Sequence, residues 1–202
     1  NGIIIGISMA DLAGSTPDEI EWHAANIRHR IDELLGRLGV RFPVYLLFTK
    51  ADLLQGFVEF FGELSRKERD QVWGCTLDSE QQRHPDVRVV FEREYQQLYD
   101  MLLNLRTHRL GQTMKREDRH KVYVFPLEFS SVRDNLSLFV SRLFQPNPYQ
   151  ESPVFRGFYF TSGTQEGAPI DRVIQAIAQQ FDLPPAAAAG FDREVETKSY
   201  FI

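Results

Sequence analysis

A short polar run follows an apolar, strand-like segment and carries side chains suited to recognising a nucleotide base. Thr49, Lys50 and Asp52 come directly after the apolar segment 43–48. A carboxylate accepts two hydrogen bonds from the guanine edge, and adenine lacks that donor pair, so a buried carboxylate discriminates between the bases. In open α/β sheets, ligands bind beyond the carboxyl ends of the strands, which is where these residues are expected. The alternative interpretation is a polar turn between a strand and a helix that binds no ligand.

A second polar pair, Ser130-Ser131, follows another apolar run, Val122–Leu127. GTPases carry an Asn-Lys-x-Asp motif at the end of one strand and often a Ser-Ala motif at the end of the next. The run 49–52 resembles the first motif, with Thr49 in place of the asparagine, and Ser130-Ser131 resembles the second. This resemblance gives five candidate base-binding residues: Thr49, Lys50, Asp52, Ser130 and Ser131.

The sequence lacks the parts of a nucleotide site that hold phosphates. It contains no Gly-x-x-x-x-Gly-Lys-Ser/Thr run, whose backbone amides cradle phosphates and whose hydroxyl binds Mg²⁺. Gly163 and Gly167 do not form such a loop, because Gln165-Glu166 brings a carboxylate close to where the anion would lie. Base contacts alone hold a nucleotide weakly, so we expect no autonomous catalysis and no cofactor bound by this chain alone.

Composition and spacing argue against several other function classes. The net charge of −5 gives no electrostatic case for nucleic acid. No apolar run approaches the roughly 18 residues that cross a bilayer. The single cysteine, Cys75, forms no internal disulfide, and the histidines show no metal-ligand spacing. Cations between Arg106 and Lys121 are diluted by Glu117 and Asp118, which is typical of a solvated face, with contact to anionic lipid as the alternative.

The sequence predicts strands separated by helices, and these elements would position the polar runs. Apolar segments predict strands at Gly2–Met9, Val44–Phe48, Val122–Leu127 and Val154–Phe160. The first helix between them begins with a capping box at Thr16 to Glu19 and ends at Gly39; another covers 136–143. The order predicts an α/β fold with a parallel sheet in which the first three strands are neighbours and helices cover both faces. With its two loops, this is part of a GTPase-like (P-loop NTPase-like) fold.

A helical insertion interrupts this pattern between residues 56 and 120. Its longest helix is predicted from Pro85 onward with a single apolar stripe, and the insertion is expected to pack as an appendage beside the sheet. A further helix is predicted from Pro169, and 184–190 reads as a linker. The domain therefore covers residues 1–183, and 184–202 form a linker and the start of a following region. Because Asn1 opens directly into an apolar strand, we interpret the chain as part of a longer polypeptide.

A long motif after the fourth strand carries a family resemblance. Together with the opening run 1–5 and the closing run Lys198-Ser199-Tyr200-Phe201-Ile202, it resembles proteins of the IcmF/TssM family along essentially the whole chain. The physical alternative is a turn that uses side-chain hydrogen bonds to fix the last helix. The informative motif residues are Arg156, Gly157, Thr161, Ser162, Gly163, Thr164, Gln165, Glu166 and Gly167.

The resemblance implies the C-terminal part of the cytoplasmic GTPase-like domain of a type VI secretion inner-membrane subunit. That domain would lie at the cytoplasmic face of the bacterial inner membrane and contact baseplate proteins and the DotU/TssL-type membrane subunit. Two function classes remain open. One is a structural docking domain; the other is an NTPase whose phosphate-binding half lies upstream and which binds GTP or ATP with Mg²⁺ in the parent protein.

Overall fold

Four strands form one open sheet in the computed structural model, which describes residues 2–111, 115–147, 152–163 and 200–201. The strands are β1 (Ile3–Ser8), β2 (Pro43–Thr49), β3 (Trp73–Thr76) and β4 (Val154–Phe160), in the order β1-β2-β4-β3. β1 and β4 both run parallel to β2, and β3 runs antiparallel to β4. The predicted strands at the beginning of the chain, at 44–48 and at 154–160 are confirmed, as is the parallel pairing of the first two.

Seven α-helices accompany the sheet within the described residues. Helix α2 packs against α7, α7 against α5, and α5 against α6. None of the described helices is long and apolar enough to cross a membrane. The helices are α1 (Met9–Gly14), α2 (Pro17–Leu38), α3 (Phe57–Phe61), α4 (Arg66–Arg69), α5 (Val87–Leu110), α6 (Arg116–Ser131) and α7 (Arg133–Leu143).

Local sequence signals define helix α2. The Glu19 amide donates to the Thr16 hydroxyl (3.4 Å), and the Thr16 amide donates to the Glu19 carboxylate (2.7 Å), which completes the predicted capping box. At the other end Gly39 adopts φ 62°, a left-handed conformation that glycine accepts without steric cost, and its amide donates to Leu35 O at 2.9 Å. Both predicted boundaries of this helix are confirmed.

The strand predicted at Val122–Leu127 is wrong, because these residues lie inside helix α6. Val122, Phe125 and Phe129 are fully buried, and their spacing of three and four residues places them on one helical face. Pro126 lies within the helix and removes the amide that would bond to the carbonyl of Val122. The sheet therefore continues from β2 to β4 rather than to a strand at this position.

The insertion at 56–120 is largely helical, but it is not an appendage. It supplies β3, which pairs with β4, and α5, whose side chains lie on the sheet. The Phe91 and Phe158 rings lie 4.7 Å apart, and the Tyr95 hydroxyl donates to Phe129 O at 2.5 Å. Burial removes the Tyr95 phenol from water and raises its pKa well above the ordinary value. The insertion thus forms part of the central core.

The helices α5 and α6 cover one face of the sheet. On that face Val44, Leu46 and Phe48 are fully buried. On the other face Ile4 is 70% exposed, and its neighbours Tyr45, Leu47 and Tyr159 are half-buried. Within the described residues, the predicted helices on both faces are therefore observed on one.

Candidate functional site

The polar run at the end of β2 is fixed to the end of β4. Lys50 adopts a left-handed conformation (φ 60°), and a 3₁₀ turn, Ala51–Leu53, follows it. The Thr161 amide donates to Phe48 O at 2.9 Å, and the Ala51 amide donates to Thr161 O at 3.2 Å. These two backbone bonds extend the β2–β4 pairing beyond the last strand residues. The Lys50–Asp52 turn therefore has a fixed position at the carboxyl edge of the sheet.

Asp52 forms the central side-chain contact of this edge. The Ser162 hydroxyl donates to Asp52 Oδ1 at 2.7 Å, and Ser162 itself is buried. Partial burial raises the Asp52 pKa above its usual value, while the bond from Ser162 and the nearby charge of Lys50 act in the opposite direction. The carboxylate is thus oriented by one neighbour and partly withdrawn from water, an arrangement suited to presenting a hydrogen-bond acceptor.

Thr49 replaces the asparagine of the GTPase motif and connects the two strands β1 and β2. Its hydroxyl donates to Ile7 O at 3.3 Å, close to the end of β1. The asparagine of that motif normally hydrogen-bonds to neighbouring loops. The shorter threonine side chain makes one such bond, to the adjacent strand. The structure therefore assigns Thr49 a local contact within the chain.

Ser130 and Ser131 do not lie at a strand end. Both belong to the last turn of helix α6, and the Ser131 hydroxyl donates to Glu128 O at 2.8 Å. The serine that contacts Asp52 is Ser162, which follows β4. The strand-end position predicted for the second loop was wrong because the strand before it was wrong. The motif Thr161-Ser162-Gly163 occupies the position that we predicted for Ser130-Ser131.

The family motif around β4 has structural contacts that the sequence did not specify. The Arg156 guanidinium donates to Leu77 O, and the Leu77 amide donates to Arg156 O at 2.8 Å. Gly157 faces β3 so closely that a Cβ would lie 2.5 Å from Cys75 O, which requires glycine at this position. Thr164, Gln165, Glu166 and Gly167, together with the predicted helix from Pro169 and the linker, lie outside the described residues.

A short segment near the end of the chain closes the carboxyl edge. Tyr200 and Ser162 exchange backbone hydrogen bonds, each 2.9 Å long, and the Phe201 amide donates to Arg69 O at 2.7 Å. The Phe201 ring lies 5.0 Å from Phe61 and is almost completely buried. We call residues 200–201 the closing segment. Two adjacent aromatic residues are the only sequence signal for this segment, and they do not indicate where it packs.

The cations between residues 106 and 121 largely serve contacts within the chain. Lys121 pairs with Glu59 at 3.0 Å, and Arg109 is buried with its guanidinium 3.4 Å from Glu59 O. Arg106 stacks over the Tyr123 ring at 4.7 Å. The expectation of a purely solvated face is therefore wrong for Arg109. Among the residues that the structure describes, no cluster of His, Cys, Asp or Glu is arranged to hold a metal ion.

The fold and its carboxyl edge define an open α/β domain in which polar loops from two neighbouring parallel strands meet. The chain belongs to the family of IcmF-related N-terminal domains, which matches residues 1–202. It is 44% identical over 204 residues to the type VI secretion system component TssM1 of Pseudomonas aeruginosa strain PAO1. That alignment covers 100% of this chain and 18% of TssM1. No solved structure matches the chain.

These comparisons confirm the resemblance to the IcmF/TssM family. The family description is that of an N-terminal domain, whereas we predicted the C-terminal part of a GTPase-like domain. The family description does not support that finer assignment. The chain spans less than a fifth of the relative's length, so the activity and partners of the whole protein are considered below as proposals.

Proposed function

We propose that this chain is a structural docking domain of the type VI secretion membrane complex. The identity of 44% along the entire chain to a protein named as a type VI secretion component supports this assignment. The observation that carries the docking role is the hydrogen bond from Ser162 to Asp52. Through this bond the Asp52 carboxylate already has a partner within the chain. Polar loops that bind one another form a rigid surface of fixed shape, which favours recognition of a partner.

The finer proposal concerns position and partners. We assign the chain to the downstream part of a GTPase-like domain at the cytoplasmic face of the bacterial inner membrane, where it contacts baseplate proteins and a DotU/TssL-type membrane subunit. The parallel strands β1, β2 and β4 support this assignment, since polar loops follow β2 and β4 in the order that a GTPase-like sheet requires.

Binding of purified partners tests the docking role. The 202-residue chain is immobilised, and solutions of the DotU/TssL-type subunit and of individual baseplate proteins are passed over it with and without GTP and Mg²⁺. We expect saturable binding of at least one subunit that is independent of nucleotide and retained by Asp52→Asn. The docking role is wrong if every subunit fails to bind in both conditions, or if binding occurs only with nucleotide.

A second candidate is recognition of a nucleotide base by the same edge. The position of the Lys50–Asp52 turn beside Ser162 favours it, because both follow neighbouring parallel strands at the carboxyl edge, where ligands bind in open sheets. In this alternative Lys50 packs on the base, Asp52 accepts from guanine, and a phosphate loop elsewhere in the parent protein holds GTP or ATP with Mg²⁺.

Exchange of the base acceptor tests this candidate in a parent protein that carries a phosphate loop. Asp52→Asn replaces a carboxylate oxygen with an amide donor, so the guanine amine loses its acceptor. GTP affinity should fall at least tenfold, and xanthosine triphosphate, which has an acceptor at the position of that amine, should bind more tightly. Equal GTP and ATP affinities in the parent, unchanged by Asp52→Asn, would exclude base recognition at this edge.

A further inference from the structure

The closing segment binds the domain through both of its residues, Tyr200 and Phe201. The Phe201 amide donates to Arg69 O at 2.7 Å. The centre of the Phe201 ring lies 5.0 Å from that of Phe61 and 5.3 Å from that of Trp73. The Arg69 guanidinium lies over the Tyr200 ring, 5.8 Å from its centre. Both aromatic side chains are buried, so they fill a defined slot whose walls become exposed when the segment detaches.

The backbone of Phe201 is strained in the docked position. Its φ of 57° lies in the left-handed region, which bulky residues rarely adopt. Such a conformation persists only where the surrounding contacts determine it, and it is frequent in segments that switch between states. A detached segment relaxes to an ordinary backbone conformation. The strain therefore favours release, and the aromatic contacts in the slot oppose it.

One carbonyl of the closing segment accepts hydrogen bonds from the two residues that hold the polar turn after β2. The Ser162 amide donates to Tyr200 O at 2.9 Å, and the Thr161 hydroxyl donates to the same oxygen at 3.4 Å. Thr161 O in turn accepts from the Ala51 amide at 3.2 Å. The Ser162 hydroxyl donates to Asp52 Oδ1 at 2.7 Å. Two hydrogen-bonded routes thus connect Tyr200 to the turn, each through a single residue.

The Ser162 hydroxyl has two acceptors within reach. Asp52 Oδ1 lies at 2.7 Å and Gly163 O at 3.4 Å, and the hydroxyl has one proton to donate. Backbone pairing with Tyr200 fixes Ser162 where the shorter bond, to Asp52, is favoured. Once that pairing is broken, the hydroxyl can turn to the carbonyl of the next residue, a local bond that serine commonly makes in turns. The contact therefore has two alternative arrangements, and Asp52 accepts the bond in only one of them.

We propose that the closing segment is a conformational switch that controls the carboxyl edge. In the docked state it holds Ser162 in position to hydrogen-bond to Asp52. In the detached state it releases the Asp52 carboxylate and exposes Phe61 and Trp73 in the empty slot. A molecule that binds the slot with aromatic groups of its own stabilises the detached state by competing with the segment. The proposal concerns the state of the edge and does not depend on what the edge binds.

Amide hydrogen exchange in the 202-residue chain tests whether detachment reaches the turn. Phe201→Ala weakens docking, and Phe155→Ala is the matched control, because Phe155 is a buried ring that packs on Phe144 at the opposite end of β4. We expect the amides of Ser162 and Ala51 to exchange at least about tenfold faster in Phe201→Ala, since local detachment opens both hydrogen bonds. In Phe155→Ala, which lowers only the global stability, the change should stay below about threefold.

A double-substitution cycle tests whether the coupling passes through Ser162. Phe201→Ala should shift the NMR resonance of the Asp52 carboxyl carbon at neutral pH, because the carboxylate loses its donor. In the Ser162→Ala background that donor is already absent, so Phe201→Ala should no longer shift the resonance. Ser131→Ala is the control background, since its hydroxyl bonds to Glu128 O, and there the shift should persist in full.

Four results overturn the proposal. Faster exchange of Ser162 without any change at Ala51 or Asp52 means that the segment docks but controls nothing. Equal acceleration by Phe201→Ala and Phe155→Ala means that both report global stability. A shift of the Asp52 resonance that survives in the Ser162→Ala background places the coupling elsewhere. Failure of Phe201→Ala to fold, seen as loss of spectral dispersion, makes the segment a permanent part of the core.

Discussion

The aromatic layer beneath β3 and the polar carboxyl edge beside Asp52 lie close together but are built differently. The layer consists of Trp73 and six rings whose centroids lie 4.8 to 6.4 Å from its own: Phe57, Phe61, Phe125, Phe129, Phe160 and Phe201. At the edge, Asp52 accepts a hydrogen bond from the Ser162 hydroxyl, the one side-chain bond it makes among the residues that the structure describes. The closing segment joins the two regions, since its backbone pairs with Ser162 and its rings contact the layer. Stability should therefore depend on the layer, and recognition on the edge.

The largest effect is expected in the aromatic layer. Trp73→Ala removes a ring that is 9% exposed, and loss of a large buried aromatic residue costs about 3–5 kcal/mol. The matched control is Val72→Ala, because Val72 is adjacent in sequence and 69% exposed, so its cost should be within about 0.5 kcal/mol. Urea unfolding of both variants measures the difference. Equal costs for the two positions would show that the layer does not dominate stability.

The closing segment should have the next largest effect. Phe201→Ala removes a nearly buried ring that contacts Phe61 and Trp73, and we expect a loss of about 2–3 kcal/mol, less than for Trp73 because a short segment can detach locally. Phe201→Leu, which retains most of the apolar volume, should lose less than half as much. Thermal unfolding distinguishes the two variants, and identical melting temperatures for Phe201→Ala and the unmodified chain would contradict the packing described.

A smaller effect is expected when the hydrogen bond at the edge is removed. Ser162→Ala deletes the donor to Asp52, which should cost about 1 kcal/mol and raise the Asp52 pKa further, because the bond favours the ionised carboxylate. The cost should be present at neutral pH and decrease as pH falls and Asp52 becomes protonated.

Ser131→Ala is the control for that experiment, because the Ser131 hydroxyl bonds to Glu128 O in its own helix. It should leave the Asp52 pKa unchanged in an NMR titration of the carboxyl carbon. A shift of the Asp52 pKa by Ser131→Ala but not by Ser162→Ala would reverse our assignment of the two serines.

The smallest effect is expected from Asp52→Asn. Burial raises the Asp52 pKa in the folded state, so ionisation of this group opposes folding as pH rises from the unfolded pKa through the folded one. Asn is neutral and keeps an oxygen that accepts from Ser162. The variant should therefore be at least as stable as the unmodified chain at neutral pH, and the difference should vanish in acid below both pKa values. A lower stability of the variant at pH 7 would contradict this sign.

Local signals predicted much of the fold. The capping box of α2 and its terminal glycine depend on residues a few positions apart, so Thr16, Glu19 and Gly39 were sufficient to place both helix ends. The strands β1, β2 and β4 are runs of apolar residues, and the parallel pairing of β1 with β2 follows from the helices between them.

Two elements, helix α6 and strand β3, could not be predicted from local sequence because tertiary packing determines them. Val122–Leu127 combines β-branched and aromatic residues with Pro126, all of which disfavour a helix locally, yet packing of Phe125 and Phe129 in the aromatic layer stabilises one. β3 has only four residues and includes a glycine, so its sequence carries too little periodicity to identify a strand. It forms because Trp73 is buried and its backbone meets the edge of β4.

At the candidate site, the sequence located the loop but not its partner. Thr49, Lys50 and Asp52 were found because they follow a clear strand, and the structure places them at its carboxyl end. The prediction for Ser130 and Ser131 is wrong because it depends on a strand before them, and the structure has helix α6 there. The contact of Ser162 with Asp52 spans 110 residues, and such a distance depends on the order of strands in the sheet rather than on any local pattern.

Nucleotide titration of the 202-residue chain tests most directly whether it acts as a docking domain without a nucleotide of its own. Fluorescent GTP and ATP analogues are added with Mg²⁺ to the unmodified chain and to Asp52→Asn, and anisotropy is followed to high protein concentration. We predict no saturable binding tighter than roughly 100 μM, which corresponds to a free energy of about −5.5 kcal/mol, and no difference between the two proteins. Micromolar GTP binding that Asp52→Asn abolishes would contradict the account.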